Sequence, residues 1–129
     1  MKNWTYDELI KQGYEITNAL ITLADLIMID HDVMTLELAL ESESWYTVYG
    51  GYVLGHGYLG CDDAFIDGSA IGMESLIRIM ITLGADRFQK LEGRRIRVAS
   101  KGQSKIIGNI EKDQWFDIDS FFTDGETCQ

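Results

Sequence analysis

The sequence predicts an α+β domain: an antiparallel sheet of about five strands, one main amphipathic helix over residues 69 to 84, and short N- and C-terminal helices. Three observations lead there. Period-two alternation and β-branched residues fill the first half of the chain. A single stretch repeats its apolar residues at helical spacing. Residues 94 to 110 read as two short strands around Gly102, the pattern of a hairpin. At 129 residues, with 46% hydrophobic and 25% charged, the chain is read as one domain over residues 1 to 129, large enough to bury a core without staples.

Thr5, followed by Asp7 and Glu8, reads as a helix start, with Leu9 and Ile10 as apolar positions and Gly13 as the stop. Residues 16 to 29 are rich in aliphatic and β-branched types and predict a strand, turning at His31-Asp32. Val33, Thr35, Glu37 and Ala39 alternate with Met34, Leu36, Leu38 and Leu40, which predicts a second strand with one buried face. Residues 41 to 44 turn, and residues 45 to 54, with Tyr46, Val48 and Tyr52, form a third strand. Such close spacing favours antiparallel pairing.

Seven of the 13 glycines fall between Gly50 and Gly72, where no period is visible, so a loop is expected. Its exit at Ser69 opens the main helix, in which Met73, Leu76, Ile77, Met80 and Ile81 recur at i, i+3, i+4 and i+7 before Gly84 closes it. Residues 87 to 91 form a helical turn ended by Gly93. Strands follow at residues 94 to 98 and 105 to 110. Residues 117 to 122 form a terminal helix, with Trp115, Phe116, Phe121 and Phe122 as packing residues. There is no internal repeat and no proline.

The formal net charge of -10 is unevenly laid out. Residues 1 to 77 hold only Lys2 and Lys11 against 13 acids, residues 78 to 112 hold nine bases against three acids, and residues 113 to 129 add five acids. A basic island in an acidic body predicts a localised small-anion site and no direct nucleic-acid contact, because the whole molecule repels a polyanion. On the strand from Arg94, the residues Arg94, Ile96 and Val98 share one face while Arg95 and Arg97 share the other. With Ile96 and Val98 buried, Arg95 and Arg97 project together. Lys101 and Lys105 are expected to join them in a cluster suited to phosphate oxygens. The competing reading is solvated charge that balances the acidic body, or an interface for the acidic half of a neighbouring subunit. Phe88 is either a stacking face for a base or a core aromatic.

Other chemistries lack support. The stretch from Gly50 to Gly60 holds neither a Walker lysine motif nor a dinucleotide fingerprint. His31, His56, Asp62 and Asp63 match no metal-ligand spacing, and there is no nucleophile elbow. Cys61 and Cys128 have no basic neighbour and read as free thiols. No catalytic residue, metal or cofactor is therefore expected. No run approaches the ~20 apolar residues of a membrane span and the N-terminus lacks a signal-peptide core, so a cytoplasmic protein without membrane contact is expected.

The order of motifs carries a resemblance. Gly50-Gly51-Tyr52, then Gly72-Met73-Glu74, then residues 90 to 98 (Lys-Leu-Glu-Gly-Arg-Arg-Ile-Arg-Val) and residues 107 to 116 (Ile-Gly-Asn-Ile-Glu-Lys-Asp-Gln-Trp-Phe) resemble a family of small proteins of tailed bacteriophages and prophages. The likeness covers roughly residues 15 to 122. It departs at residues 41 to 49, which lack the glycines that family members carry before Gly-Gly-Tyr. Phage origin implies counter-defence in the cytoplasm of an infected bacterial host. The chain looks like the Thoeris anti-defence proteins, which sequester a cyclic ADP-ribose-type signal without catalysis. That likeness implies a homo-oligomer that binds a small nucleotide signal through Arg94, Arg95, Arg97, Lys101, Lys105 and Asn109, with Phe88 or Trp115 stacking on the base. The alternative is an acidic inhibitor of anti-CRISPR or anti-restriction type. Its surface of Asp25, Glu37, Glu41 and Glu43, among others, would mimic nucleic acid toward a basic host defence protein.

Overall fold

In this computed structural model, residues 2 to 30, 32 to 57 and 66 to 127 are described. Helix α1 (Tyr6–Lys11) starts at Thr5, whose hydroxyl accepts the Glu8 N–H, and hands over to the long strand β1 (Glu15–Ile29) after Gly13. Strands β2 (Val33–Glu41) and β3 (Tyr46–Gly57) continue as an antiparallel meander, and β4 (Ile66–Gly68) adds a short edge. The polypeptide then crosses to the other side of β1. A hairpin of β5 (Arg95–Lys101) and β6 (Ser104–Gly108) docks there, followed by the two-residue β7 (Trp115–Phe116). Among the described residues the result is one seven-stranded sheet in the order β4-β3-β2-β1-β5-β6-β7, with every pairing antiparallel.

β1 is the spine of the sheet, pairing β5 with its first half and β2 with its second. The register jumps from Ile21 opposite Leu40 to Leu23 opposite Ala39, so Thr22 is the extra residue of a bulge. The bulge reverses the alternation: Ala19 and Ile21 face inward before it, and Ala24 and Leu26 share the inner face after it.

Helices α2 (Ala70–Leu83) and α3 (Ile118–Thr127) lie on the inner face. Ile79 and Leu83 of α2, with Ile118 and Phe121 of α3, pack there against Ile21, Leu36, Leu38, Leu40, Ile96, Val98 and Ile107. Each fully buried aliphatic side chain stabilises the fold by at most about 1.5–3 kcal/mol. A second, smaller core forms on the outer face, where Leu9 of α1 meets Ala99 and Ile106 beneath Trp4 and Tyr14. The outer face of β1, β2 and β3 beyond α1 leaves Leu23, Ile27, Tyr46 and Val48 exposed.

The main helix follows its sequence signals. Ser69 is the N-cap, its hydroxyl accepting the Gly72 N–H at 3.0 Å, and Gly84 ends the helix in the left-handed region at φ 74°. Gly72 is required by proximity: a Cβ there would lie 2.3 Å from the Val53 carbonyl oxygen, so the first turn of α2 rests directly on β3 backbone.

The sheet is larger than the five strands expected. β3 runs on to Gly57, β4 falls within the stretch read as loop, and Trp115 and Phe116 form β7 by pairing with Gly108 and Ile107. Strands of two or three residues carry no readable period. At the β1–β2 turn, Asp30 adopts φ 54° and the Asp32 N–H reaches the Ile29 carbonyl at 3.2 Å. The expectations placed on His31, Cys61, Asp62, Asp63 and Cys128 lie outside the described residues.

Candidate anion-binding site

The expected basic cluster on the hairpin divides between the two faces of the sheet. Arg95, Arg97 and Lys101 share the outer face, as alternation requires. Lys105 does not join them. It pairs directly with Ser100, and antiparallel partners share a face, so Lys105 projects inward with Val98 and Ile107. Its ammonium lies 3.3 Å from Ser100 Oγ and 5.4 Å from the Trp45 ring centroid. A cavity of about 260 Å3 opens beside it, lined also by Thr47, Gln103, Tyr52 and Asp119. One cation and one carboxylate leave that cavity near neutral, and the Tyr52 hydroxyl donates to the Asp119 carboxylate.

Arg97 is committed to the fold. Its Nε–H donates to the Asn109 carbonyl and its Nη2–H to the Lys112 carbonyl, both at 2.8 Å. The guanidinium also stacks 4.7 Å from the Trp115 ring and 5.8 Å from the Tyr6 ring. Trp115 is equally occupied: its Nε1–H donates to Asp113 at 2.7 Å and its ring lies on Gly108, where a Cβ would come within 2.3 Å. Both groups are thus held by contacts within the fold. Lys101 sits over Tyr14 at 5.7 Å. Phe88 begins the 3-10 turn Phe88–Leu91 and packs half-buried against the main core. The two aromatics proposed for base stacking therefore have structural partners.

Arg94, Arg95 and Asn109 do converge. Together with Lys112 and with Leu83 and Gly84 at the end of α2, they line a cavity of about 230 Å3, whose rim also carries Ile110 and Glu111. Asn109 folds the loop after β6: its Oδ1 accepts the N–H groups of Glu111 and Lys112 at 2.8 and 3.0 Å, and its Nδ2–H donates to the Thr82 carbonyl at 3.1 Å. Arg94 donates from Nη1 to the Leu83 carbonyl at 3.1 Å. These two side chains cap the last carbonyls of α2, offsetting the negative end of its dipole where an anion would otherwise be repelled. Arg95 is exposed, as is Lys112, and neither forms an ion pair with another described residue. Glu111 lines the same cavity, and Arg95 also borders a second cavity lined by Glu15, Glu41 and Glu43.

No protein-family model, curated protein or solved structure matches the chain. The reading of the site rests on its own chemistry. Alternation places Arg95 in a hairpin cluster with Arg97, Lys101 and Lys105, whereas Arg94 and Asn109 are named only through the resemblance, and neither route points to a cavity at the end of α2. Sequence reasoning passed over Lys112, whose signal was its place at the end of the basic island, four residues beyond Gly108, where the pairing of β6 with β5 ends.

Proposed function

We propose that this chain is a non-catalytic binding protein that sequesters a small phosphorylated nucleotide, of the cyclic ADP-ribose or cyclic nucleotide class used as bacterial immune signals, in the cytoplasm of an infected host. The observation that carries this reading is the convergence of Arg94, Arg95 and Lys112 on one cavity of an otherwise acidic molecule. Charge-assisted hydrogen bonds from such groups contribute about 1.5–3 kcal/mol each. At about 230 Å3 the cavity is smaller than the ~300–1,000 Å3 that usually encloses a whole ligand. It suits the phosphate end of the nucleotide, the remainder lying outside it. A homo-oligomer is part of the proposal, because a neighbouring subunit can cover what one chain leaves open.

Titration calorimetry with cyclic ADP-ribose tests it. Binding is expected for the native chain, with at least a tenfold loss in the double variant Arg95→Ala, Lys112→Ala at unchanged melting temperature. Mass spectrometry of the ligand released by heating is expected to return it intact. Equal affinity of the variant would falsify the assignment to this cavity.

A second reading is favoured by one observation. Asp25 lies directly opposite Glu37 on the uncovered outer face of the sheet, where Glu41 follows on the same side of β2. That is the chemistry of an acidic inhibitor docking on a basic host defence protein. Charge reversal at Glu37 and Glu41 is expected to abolish such inhibition while leaving nucleotide binding intact.

A further inference from the structure

Strand β1 is paired on both sides over only part of its length. β5 lies along Glu15 to Leu20, but on the β2 side pairing stops at Leu20 opposite Glu41. Among the described residues no strand meets Glu15 to Ala19 there. The chain turns off at that point. Ser42 donates its N–H to the Trp45 carbonyl at 2.9 Å, and its hydroxyl accepts the N–H groups of Ser44 and Trp45 at 3.3 and 3.1 Å. The turn satisfies itself and leaves the edge of β1 uncovered.

The paired side shows which backbone groups face the gap. Ile21 donates its N–H to the Arg94 carbonyl at 3.0 Å and accepts the Gly93 N–H at 2.7 Å, so its peptide groups point toward β5. The register with β5 is unbroken from Glu15 to Leu20, and the direction alternates along an antiparallel strand. Ile16 and Asn18 therefore turn their N–H and C=O groups to the open side, the template for an added strand. A cavity of about 830 Å3 occupies this notch, walled by residues 15 to 20, residues 41 to 44 and Arg95. Glu15, Glu41 and Glu43 line it against the single cation of Arg95, and none of the three forms an ion pair with another described residue.

Charge complementarity selects the occupant. Carboxylates at an open edge repel an acidic strand, a second copy of this chain at net charge -10 included, and attract a cationic one. The chain's own cationic strand, β5, is already paired on both sides. We infer that the notch is a docking site for an extended, lysine- or arginine-rich peptide segment that continues the line of β2, antiparallel to β1. Five residues of it, spanning about 17 Å, lie opposite Glu15 to Ala19. Directly opposed residues share a face, so basic side chains opposite Ile16 and Asn18 fall on the face that carries Glu41. The docking site rests neither on the basic cavity at the end of α2 nor on the pairing of Asp25 with Glu37.

The probe is a fluorescein-labelled peptide, acetyl-Thr-Lys-Val-Lys-Val-Lys-Thr-amide, read by fluorescence anisotropy against the full chain at low salt, and saturable binding is expected. N-methylation of the lysine amides, which face β1, is expected to weaken binding at least about tenfold, and N-methylation of the valine amides, which face away, to be tolerated. Amide exchange followed by NMR is expected to slow at Ile16 and Asn18 and to stay unchanged at Thr17 and Ala19, which β5 already bonds. Glu15→Gln with Glu43→Gln is expected to weaken the peptide about three- to tenfold. Arg95→Ala is expected to tighten the peptide while weakening nucleotide capture, which tells the two cavities apart. Absence of binding, equal affinity of the two methylated peptides, or unchanged exchange at Ile16 and Asn18 overturns the docking site. Loss on valine rather than lysine methylation overturns the antiparallel register, and unchanged affinity in the glutamine variant overturns the choice of a basic partner.

Discussion

Arg95 and Arg97 are two residues apart on the same face, yet they do different work, because only Arg97 finds carbonyl acceptors and aromatic faces within reach. Arg97→Ala is expected to destabilise the fold by about 2–3 kcal/mol, since it removes two charge-assisted hydrogen bonds and a stacked cation. Arg95→Ala is expected to stay within about 0.5 kcal/mol of the native chain, as exposed surface positions do. Urea denaturation of the two single variants checks this, and a larger loss for Arg95→Ala would contradict it. A ligand-binding test that removes both arginines together would confuse unfolding with lost affinity, which is why Lys112 is the better companion for Arg95. Tyr49 provides a second residue-scale test. Its ring is buried, the hydroxyl facing the Phe116 carbonyl at 3.5 Å, and burial pushes its pKa well above the ordinary phenol value. Unfolded, the phenol ionises near pH 10, so above that pH the unfolded state sheds a proton that the folded state keeps. The associated stability is present in full below about pH 10 and is lost as pH rises further. The native chain is therefore expected to lose more melting temperature than Tyr49→Phe between about pH 9 and 11, the other tyrosines being common to both.

Among the strands, the pairing of Asp25 with Glu37 works against stability. Like charges directly opposite on an antiparallel pair destabilise it, and neither carboxylate has an ion-pair partner among the described residues. Asp25→Asn is expected to raise stability by about 0.5 kcal/mol at low salt, with the gain shrinking as salt screens the pair. Thermal melts at two ionic strengths check it, and a fall in melting temperature would contradict it. The elements legible in the sequence are those specified by local chemistry. Ser69 and Gly84 mark both ends of α2 because caps act within one turn. The β2 alternation shows its buried face because Leu36, Leu38 and Leu40 all fall in one phase. The Thr22 bulge was hidden, since β1 is apolar in both phases and an added residue leaves no break in that pattern. The same limit applied to the site. The face of Lys105 follows from its pairing with Ser100, and the company of Arg94 follows from a loop folded back by Asn109 onto α2. Both depend on contacts between segments that no local spacing encodes.

At the scale of the whole molecule, salt acts in one direction on both charged contacts. Capture of a nucleotide by Arg94, Arg95 and Lys112 depends on attraction between unlike charges, and with a screening length of about 10 Å at 0.1 M, raising the salt is expected to weaken it severalfold. Docking of a basic partner on Asp25 and Glu37 would weaken as well. Calorimetry across a sodium chloride series therefore tests the charged cavity without any mutation. A nucleotide affinity indifferent to salt would place the ligand away from the basic cavity, because no site built from exposed Arg95 and Lys112 can escape screening.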